Sequence, residues 1–286
     1  MAIRTPQEIT DGYIETTVKK AESPTWRLFV LAVFAGMLIA LGAIASSTAA
    51  QGIPDVGTAR LVTGAIFPIG LMMVVLLGTE LFTGNALMVT AVIDGRISVL
   101  ELLRNWVVVY IGNFVGAVGM AALMAFFGQL DIGGGTLAVY TAKVAAAKAS
   151  LPWMNAFVLG IFCNLLVCIA IYLGNTSHDV AGKILGIFFP IFGFVVAGFE
   201  HCVANMYYIP AGIFAYWNPA YASAIAEAGI DTSVLGFGDF LFANLLPVTL
   251  GNIVGGVCVG IVMYVSHSKS RRAKAHPSEP SGASER

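Results

Sequence analysis

Four stretches of this chain, Leu28 to Ala50, Asn105 to Leu130, Leu151 to Ser177 and Phe240 to Ser266, contain no Asp, Glu, Lys, Arg or His. Each is longer than the roughly 20 residues a helix needs to cross the hydrocarbon core of a bilayer. Inside lipid every peptide group must find its partner within the protein, which leaves such a run little choice but to be a spanning helix. Composition agrees, with 58% hydrophobic and 11% charged residues against about 25% charged in an ordinary soluble domain. The runs predict an all-α integral membrane protein with four unbroken spans.

Two further apolar stretches fit less simply. Leu61 to Ile93 holds one charge, Glu80, and Ile184 to Ala226 holds only Glu200 and His201 as charge-capable side chains. Each is too long for one straight helix and too short for two separate ones, so each predicts a span broken within the membrane, giving six spans in all. Gly78 and Gly84 in the first, and Pro190, Gly198, Pro210 and Gly212 in the second, are the candidate break points. Irregular backbone at that depth is tolerated only where it lines a cavity or is buried in protein. Two broken spans therefore predict a pathway through the molecule.

With six spans and the N-terminus inside, Arg4, Lys19, Lys20, Arg27, Arg96, Arg104, Lys183 and the five basic residues after Ser268 fall on the cytoplasmic side, while Arg60, Lys143 and Lys148 fall outside. This bias predicts cytoplasmic termini for a multi-pass protein of the cell membrane. In residues 1–25, Thr5-Pro6-Gln7-Glu8 forms a capping-box pattern ahead of an apolar stripe of Ile9, Tyr13, Ile14 and Val18. It predicts a short helix lying at the membrane surface. Residues 26–266 make the six-span domain, and residues 267–286 a polar, basic tail expected to be disordered and cytoplasmic. Cys163, Cys168, Cys202 and Cys258 show no disulfide framework or metal-ligand spacing, so no metal or cofactor is expected.

The two broken stretches repeat each other. "GTELFTGN" at 78–85 aligns with "GFEHCVAN" at 198–205 through Gly78/Gly198, Glu80/Glu200 and Asn85/Asn205, and "GNFVG" at 112–116 is matched by "GNIVG" at 251–255. Each half is three spans. Because three is odd, the second half enters the membrane from the opposite side, an inverted 3+3 repeat that places a transport site near the midplane between discontinuous helices.

"LGTELFTGN" (77–85), "GIFCNLLVCIA" (160–170), "GFEHCVANMYYIPAG" (198–212) and "NLLPVTLGNIVGG" (244–256) resemble the signature segments of the formate/nitrite transporter channels. The resemblance implies a homopentamer of aquaporin-like protomers, each with its own pore. It places the central pore histidine at His201 and a hydroxyl partner in the loop of the second span at Thr83. A fourth-span asparagine falls at Asn164, and a vestibule lysine at Lys148, twelve residues before Gly160. Apolar constrictions fall on Phe67, Leu71 and Phe194, with Leu81 and Phe82 on the cytoplasmic side. Asn218-Pro219-Ala220 matches a motif that aquaporins carry twice, but the first half here has no copy, and it is expected to serve as turn chemistry.

Carrying a full charge through a dry constriction costs several kcal/mol or more. Desolvation raises an anion's affinity for a proton, and imidazole is the side chain that titrates nearest neutrality. His201 is therefore expected to supply a proton or to hold the anion, with Thr83 and Asn164 offering hydrogen bonds and Lys148 concentrating anions outside. Glu80 and Glu200 are expected to accept the backbone amides freed at the breaks, with Asn85 and Asn205 beside them. The expected function is passage of small monovalent anions, formate first, with nitrite or hydrosulfide as alternatives and protons as the coupled species. A neutral-solute channel of water or glycerol type is the alternative from another class. The absence of a catalytic triad or phosphate loop argues against an enzyme, and no nucleic-acid partner is expected.

Overall fold

The computed structural model describes residues 3–269. In chain order it consists of α1 (Pro6–Glu22), α2 (Thr25–Ala50), α3 (Val56–Ile66), α4 (Ile69–Leu77), α5 (Phe82–Asn85), α6 (Val89–Asp94), α7 (Val99–Phe126), α8 (Thr136–Ala149), α9 (Trp153–Thr176), α10 (Val180–Ala197), α11 (Cys202–Trp217), α12 (Pro219–Glu227) and α13 (Leu246–His267). A 3-10 turn joins α5 to α6, and a π-helical stretch, Asp239–Leu245, leads into α13. Six helical segments are long and apolar enough to span a bilayer: α2, α3 with α4, α7, α9, α10, and α13 with its π-helical lead. No strand occurs among the described residues. The tail beyond residue 269, expected to be disordered, lies outside them.

Of the candidate break points, two are used. Gly78 and Gly198 take left-handed backbone, φ +65° and +77°, which glycine adopts without steric cost. Each closes its helix with the same pair of bonds: Gly78 N–H to Val75 O and Thr79 N–H to Val74 O, and Gly198 N–H to Val195 O and Phe199 N–H to Phe194 O. Gly84, Pro190, Pro210 and Gly212 stay inside helices, contrary to expectation. None of the glycines or prolines there takes a positive φ, and prolines are tolerated inside membrane helices. Span 2 also has an interruption at Phe67-Pro68, between α3 and α4.

The Gly-x-x-x-Gly pairs of the repeated "GNxVG" motif explain the tightest packing. Gly112 and Gly116 of α7 lie against α2, where a Cβ on Gly116 would overlap the carbonyl of Val33. Gly251 and Gly255 of α13 lie against α9, where the same addition would strike the carbonyls of Phe157 and Ile161. Small residues let two backbones approach this closely, and dispersion and hydrogen bonds then hold the helices where lipid supplies no hydrophobic drive. Between these pairs runs α11, buried continuously from Cys202 to Ile213. Apolar side chains such as Phe34, Val107, Phe162, Phe189 and Val262 are exposed around the outside.

The capping box of α1 forms as expected, with Glu8 N–H on Thr5 Oγ1 and Thr5 N–H on Glu8 Oε2 at 2.8 Å for the second bond. Its apolar stripe meets protein: Ile9 and Tyr13 pack with Leu87, Cys168, Tyr172 and Val259, and Ile14 packs with Met88 and Tyr264. Arg96 ties the outer face of α1 by a two-pronged pair with Glu15 and holds that carboxyl below its usual range, chiefly by hydrogen bonding. At the other end, the Asn-Pro-Ala sequence starts α12, with Asn218 as its cap and Pro219 at the first turn.

Gly116→Leu and Gly255→Leu each force a side chain into an opposing backbone. Each is expected to destabilise the folded protein by about 1–3 kcal/mol or more, read as a lower thermal midpoint in detergent. Gly12→Ala, inside α1 with open space around it, should not lower the midpoint and is expected to raise it slightly, by about 0.5–1 kcal/mol of helix propensity.

Candidate functional site

Each break delivers one polar side chain to the centre of the protein. Thr83 Oγ1, in the first turn of α5, lies 2.9 Å from His201 Nε2, and both residues are buried. His201 is the cap of α11: its Nδ1 accepts the Ala204 N–H at 3.0 Å. An Nδ1 that accepts carries no hydrogen, so the neutral ring holds its proton on Nε2 and donates it to Thr83. The hydroxyl hydrogen of Thr83 then remains free for another acceptor.

Around this pair the two halves repeat bond for bond. Asn113 Oδ1 accepts the Phe82 N–H at 2.9 Å, while its Nδ2 donates to Ala32 O at 2.7 Å and Glu80 O at 2.9 Å. Asn252 Oδ1 accepts the Cys202 N–H at 2.9 Å, while its Nδ2 donates to Gly160 O at 2.7 Å and Glu200 O at 2.9 Å. Glu80 N–H reaches Leu31 O, and Glu200 N–H reaches Leu159 O. The expectation that Glu80 and Glu200 accept the freed amides is therefore corrected. An asparagine both accepts and donates, so one side chain satisfies a break's amide and its carbonyl together.

The glutamates pair with lysines instead. Glu200 binds Lys148 Nζ at 2.8 Å and Asn205 Nδ2 at 2.6 Å, and Asn205 continues to Asn244 Oδ1 at 2.7 Å. Glu80 binds Lys20 Nζ at 3.0 Å and Asn85 Nδ2 at 2.7 Å, and Asn85 continues to Asn105 Oδ1 at 2.8 Å. A carboxylate removed from water is best matched by a full positive charge. Lys148 thus stands in an ion pair, not as a free vestibule charge.

Apolar side chains flank the central pair. Phe194 stacks over the His201 ring at 6.1 Å and meets Phe67 edge-on at 5.8 Å, and Phe67 stacks on Tyr208 at 6.4 Å. Lys148 Nζ sits 5.4 Å over the Tyr208 ring. On the opposite side, a cavity of about 920 Å³ is lined by Leu71, Leu81, Glu80, Lys20, Arg27 and His178, among others. Phe82 does not line it, and its ring packs edge-on against Tyr110 and Trp106. Asn164 has both amide hydrogens engaged, to Thr83 O at 3.1 Å and Asn252 O at 2.6 Å, which ties α5 to α13.

Lys20, Asn105, Asn113, Asn244, Asn252 and Tyr208 escaped the sequence reading. A signal existed for the lysine, since Lys20 precedes Leu31 by the same eleven residues that separate Lys148 from Leu159. The two asparagines were visible in "GNFVG" and "GNIVG", which were read only as a matched repeat.

Two interrupted helices meeting at a buried polar pair, inside a six-span inverted repeat, define a membrane channel fold. A family model described as Formate/nitrite transporter matches residues 7–266, and the chain belongs to that family. It is 40% identical over 263 residues to the formate channel FocA of Haemophilus influenzae, covering 90% of this chain and 92% of that protein. It is 41% identical over 263 residues to a probable formate transporter of Methanothermobacter thermautotrophicus, covering 86% and 90%. Among solved structures, a pentameric formate channel with formate bound superposes with TM-score 0.75 at 35% identity, over 84% of this chain and 96% of that one.

Asn252→Ala strands the Cys202 amide and the Glu200 and Gly160 carbonyls. Each buried group left unpaired costs about 1–3 kcal/mol, so the variant should show a thermal midpoint well below that of the parent in detergent. Lys148→Met leaves Glu200 as a buried, half-compensated charge, expected to cost about 3–5 kcal/mol. Adding Glu200→Gln should recover much of that loss in the same melting assay.

Proposed function

We propose that this protein conducts formate, and other small monovalent anions such as nitrite or hydrosulfide, through a pore in each protomer of a homopentamer in the cell membrane. In this reading the face carrying α1 and both termini is cytoplasmic. The observation that carries it is the Thr83–His201 contact beside the Phe67–Phe194 ring pair. A permeating anion stripped of water by Phe67 and Phe194 meets the free hydroxyl hydrogen of Thr83, with the imidazole behind it. Support for formate comes from the relatives, which are named for it and match nearly end to end.

The hydrogen bonds set the order of events. His201 takes a second proton only on Nδ1, which requires giving up the Ala204 amide. The ring therefore rests neutral and orients Thr83, and the anion gains a hydrogen bond before it gains any proton. A proton reaching the desolvated anion from water in either vestibule cancels its charge and removes the cost of passing the rings. The Lys148–Glu200 and Lys20–Glu80 pairs flank the path on its two sides with little net charge. A family of channels and transporters, together with this site, favours conduction over catalysis.

His201→Phe removes both hydrogen bonds and is expected to lower formate flux into proteoliposomes by at least tenfold. His201→Asn keeps a good helix cap but carries no titratable group. It should assemble normally and pass small anions at a reduced rate, with the remaining pH dependence following protonation of the anion itself. Formate conduction at the parental rate and pH profile by both variants would refute the central role of His201. Swelling in glycerol but not in formate salts would refute the anion reading as a whole.

A further inference from the structure

We propose that Tyr13 and Trp106 are positioning residues for the central Thr83–His201 contact, acting through the backbone of α5. The inference rests on the reading of that contact as the point the permeating ion meets. Three successive carbonyls of α5 each receive a side-chain hydrogen bond from a different helix. Thr83 O accepts from Asn164 Nδ2 of α9 at 3.1 Å, Gly84 O from the Tyr13 hydroxyl of α1 at 3.0 Å, and Asn85 O from the Trp106 indole N–H of α7 at 2.9 Å.

The reason lies in how the two breaks restart. After His201 the chain enters α11, sixteen residues of continuous helix, and among the described residues no side chain donates to a carbonyl from Cys202 to Asn205. After Leu81 it makes a single α turn, tightens into the 3-10 turn Ala86–Met88, where the Ala86 N–H is shared between the carbonyls of Gly84 and Thr83, and resumes α geometry only in α6. A long ladder therefore fixes His201, whereas the place of Thr83 depends on donors from outside its own helix. Those donors are themselves held: Tyr13 is buried and stacked on Tyr172 at 6.3 Å, and Trp106 meets the Phe82 ring at 6.1 Å. The second half has no counterpart. Thr141 precedes Lys148 by the seven residues that separate Tyr13 from Lys20, yet its hydroxyl bonds Leu137 O of its own helix at 2.7 Å.

The test uses Tyr13→Phe and Trp106→Phe in the full-length protein. Each removes one donor and leaves an aromatic ring, the same one at position 13 and a smaller one at position 106, and assembly is checked by gel filtration. Formate flux into liposomes is followed across pH, and histidine-selective ¹⁵N NMR reads the His201 Nε2 resonance, assigned by its loss in His201→Asn. Each variant should shift that resonance, lower flux by about two- to tenfold, as expected for one hydrogen bond, and move the pH profile. In a Thr83→Val background neither substitution should add a further effect, and Thr141→Val should change nothing. An unmoved resonance with an unchanged pH profile in both variants overturns the proposal, as does a flux loss that only follows lost assembled protein. A parent protein that carries no formate would sink the functional reading alone, and the His201 resonance would still decide the positioning role.

Discussion

A helix interrupted inside a membrane exposes peptide groups that neither water nor lipid can satisfy, and everything at the centre of this protein follows from how two asparagines meet that demand. Asn113 and Asn252 sit one residue after the glycines that bring α7 onto α2 and α13 onto α9. Close backbone contact puts each amide within reach of a neighbouring carbonyl, Ala32 or Gly160, and of both sides of the break. The packing motif and the pore motif are thus one device. The glycines without the asparagine would give a tight helix pair beside an unpaired break, and the asparagine without the glycines would not reach.

The same demand accounts for the inverted repeat. A break satisfied by one spanning pair needs a surface helix before it to bring a lysine to the glutamate, and α1 and α8 do this for Glu80 and Glu200. Counting α1, each half is a surface helix followed by three spans. The N-terminal helix is therefore a working part of the first half, packed on protein by Ile9, Tyr13 and Ile14, which its sequence taken alone does not reveal. An amphipathic stripe has the same period whether it faces lipid or a neighbouring helix.

Much of the architecture was legible because membrane helices leave a strong imprint: uncharged runs mark spans, and excess length marks the broken ones. Gly78 and Gly198 could be named as break points, but Gly84, Pro190, Pro210 and Gly212 carried the same local signal and stay helical. Only tertiary support decides which peptide groups are allowed to open. Glu80 and Glu200 were found as the only carboxylates in their runs, yet their partners were not, since a lysine many residues away and an amide next door look equally available in one dimension. His201 and Thr83 came from likeness to a family, and their 2.9 Å contact is what gives that likeness a geometry.

The near-symmetry of the scaffold makes its departures informative. Both sides carry a lysine–glutamate pair, Lys20–Glu80 and Lys148–Glu200, and the α1 side adds Arg27 in the wall of its cavity. The clearest departure from the repeat is at the centre, in the Thr83–His201 contact. Position 83 is a threonine on a one-turn helix, and position 201 is a histidine capping a sixteen-residue one. Had both halves supplied histidines, two imidazoles would compete for one proton in a dry site. Two hydroxyls would leave no ring to orient either of them. One of each gives a donor with a free hydrogen, backed by a ring whose protonation is restrained by the Ala204 amide. That is the pairing an anion needs if it is to be held by a hydrogen bond rather than trapped by a fixed charge.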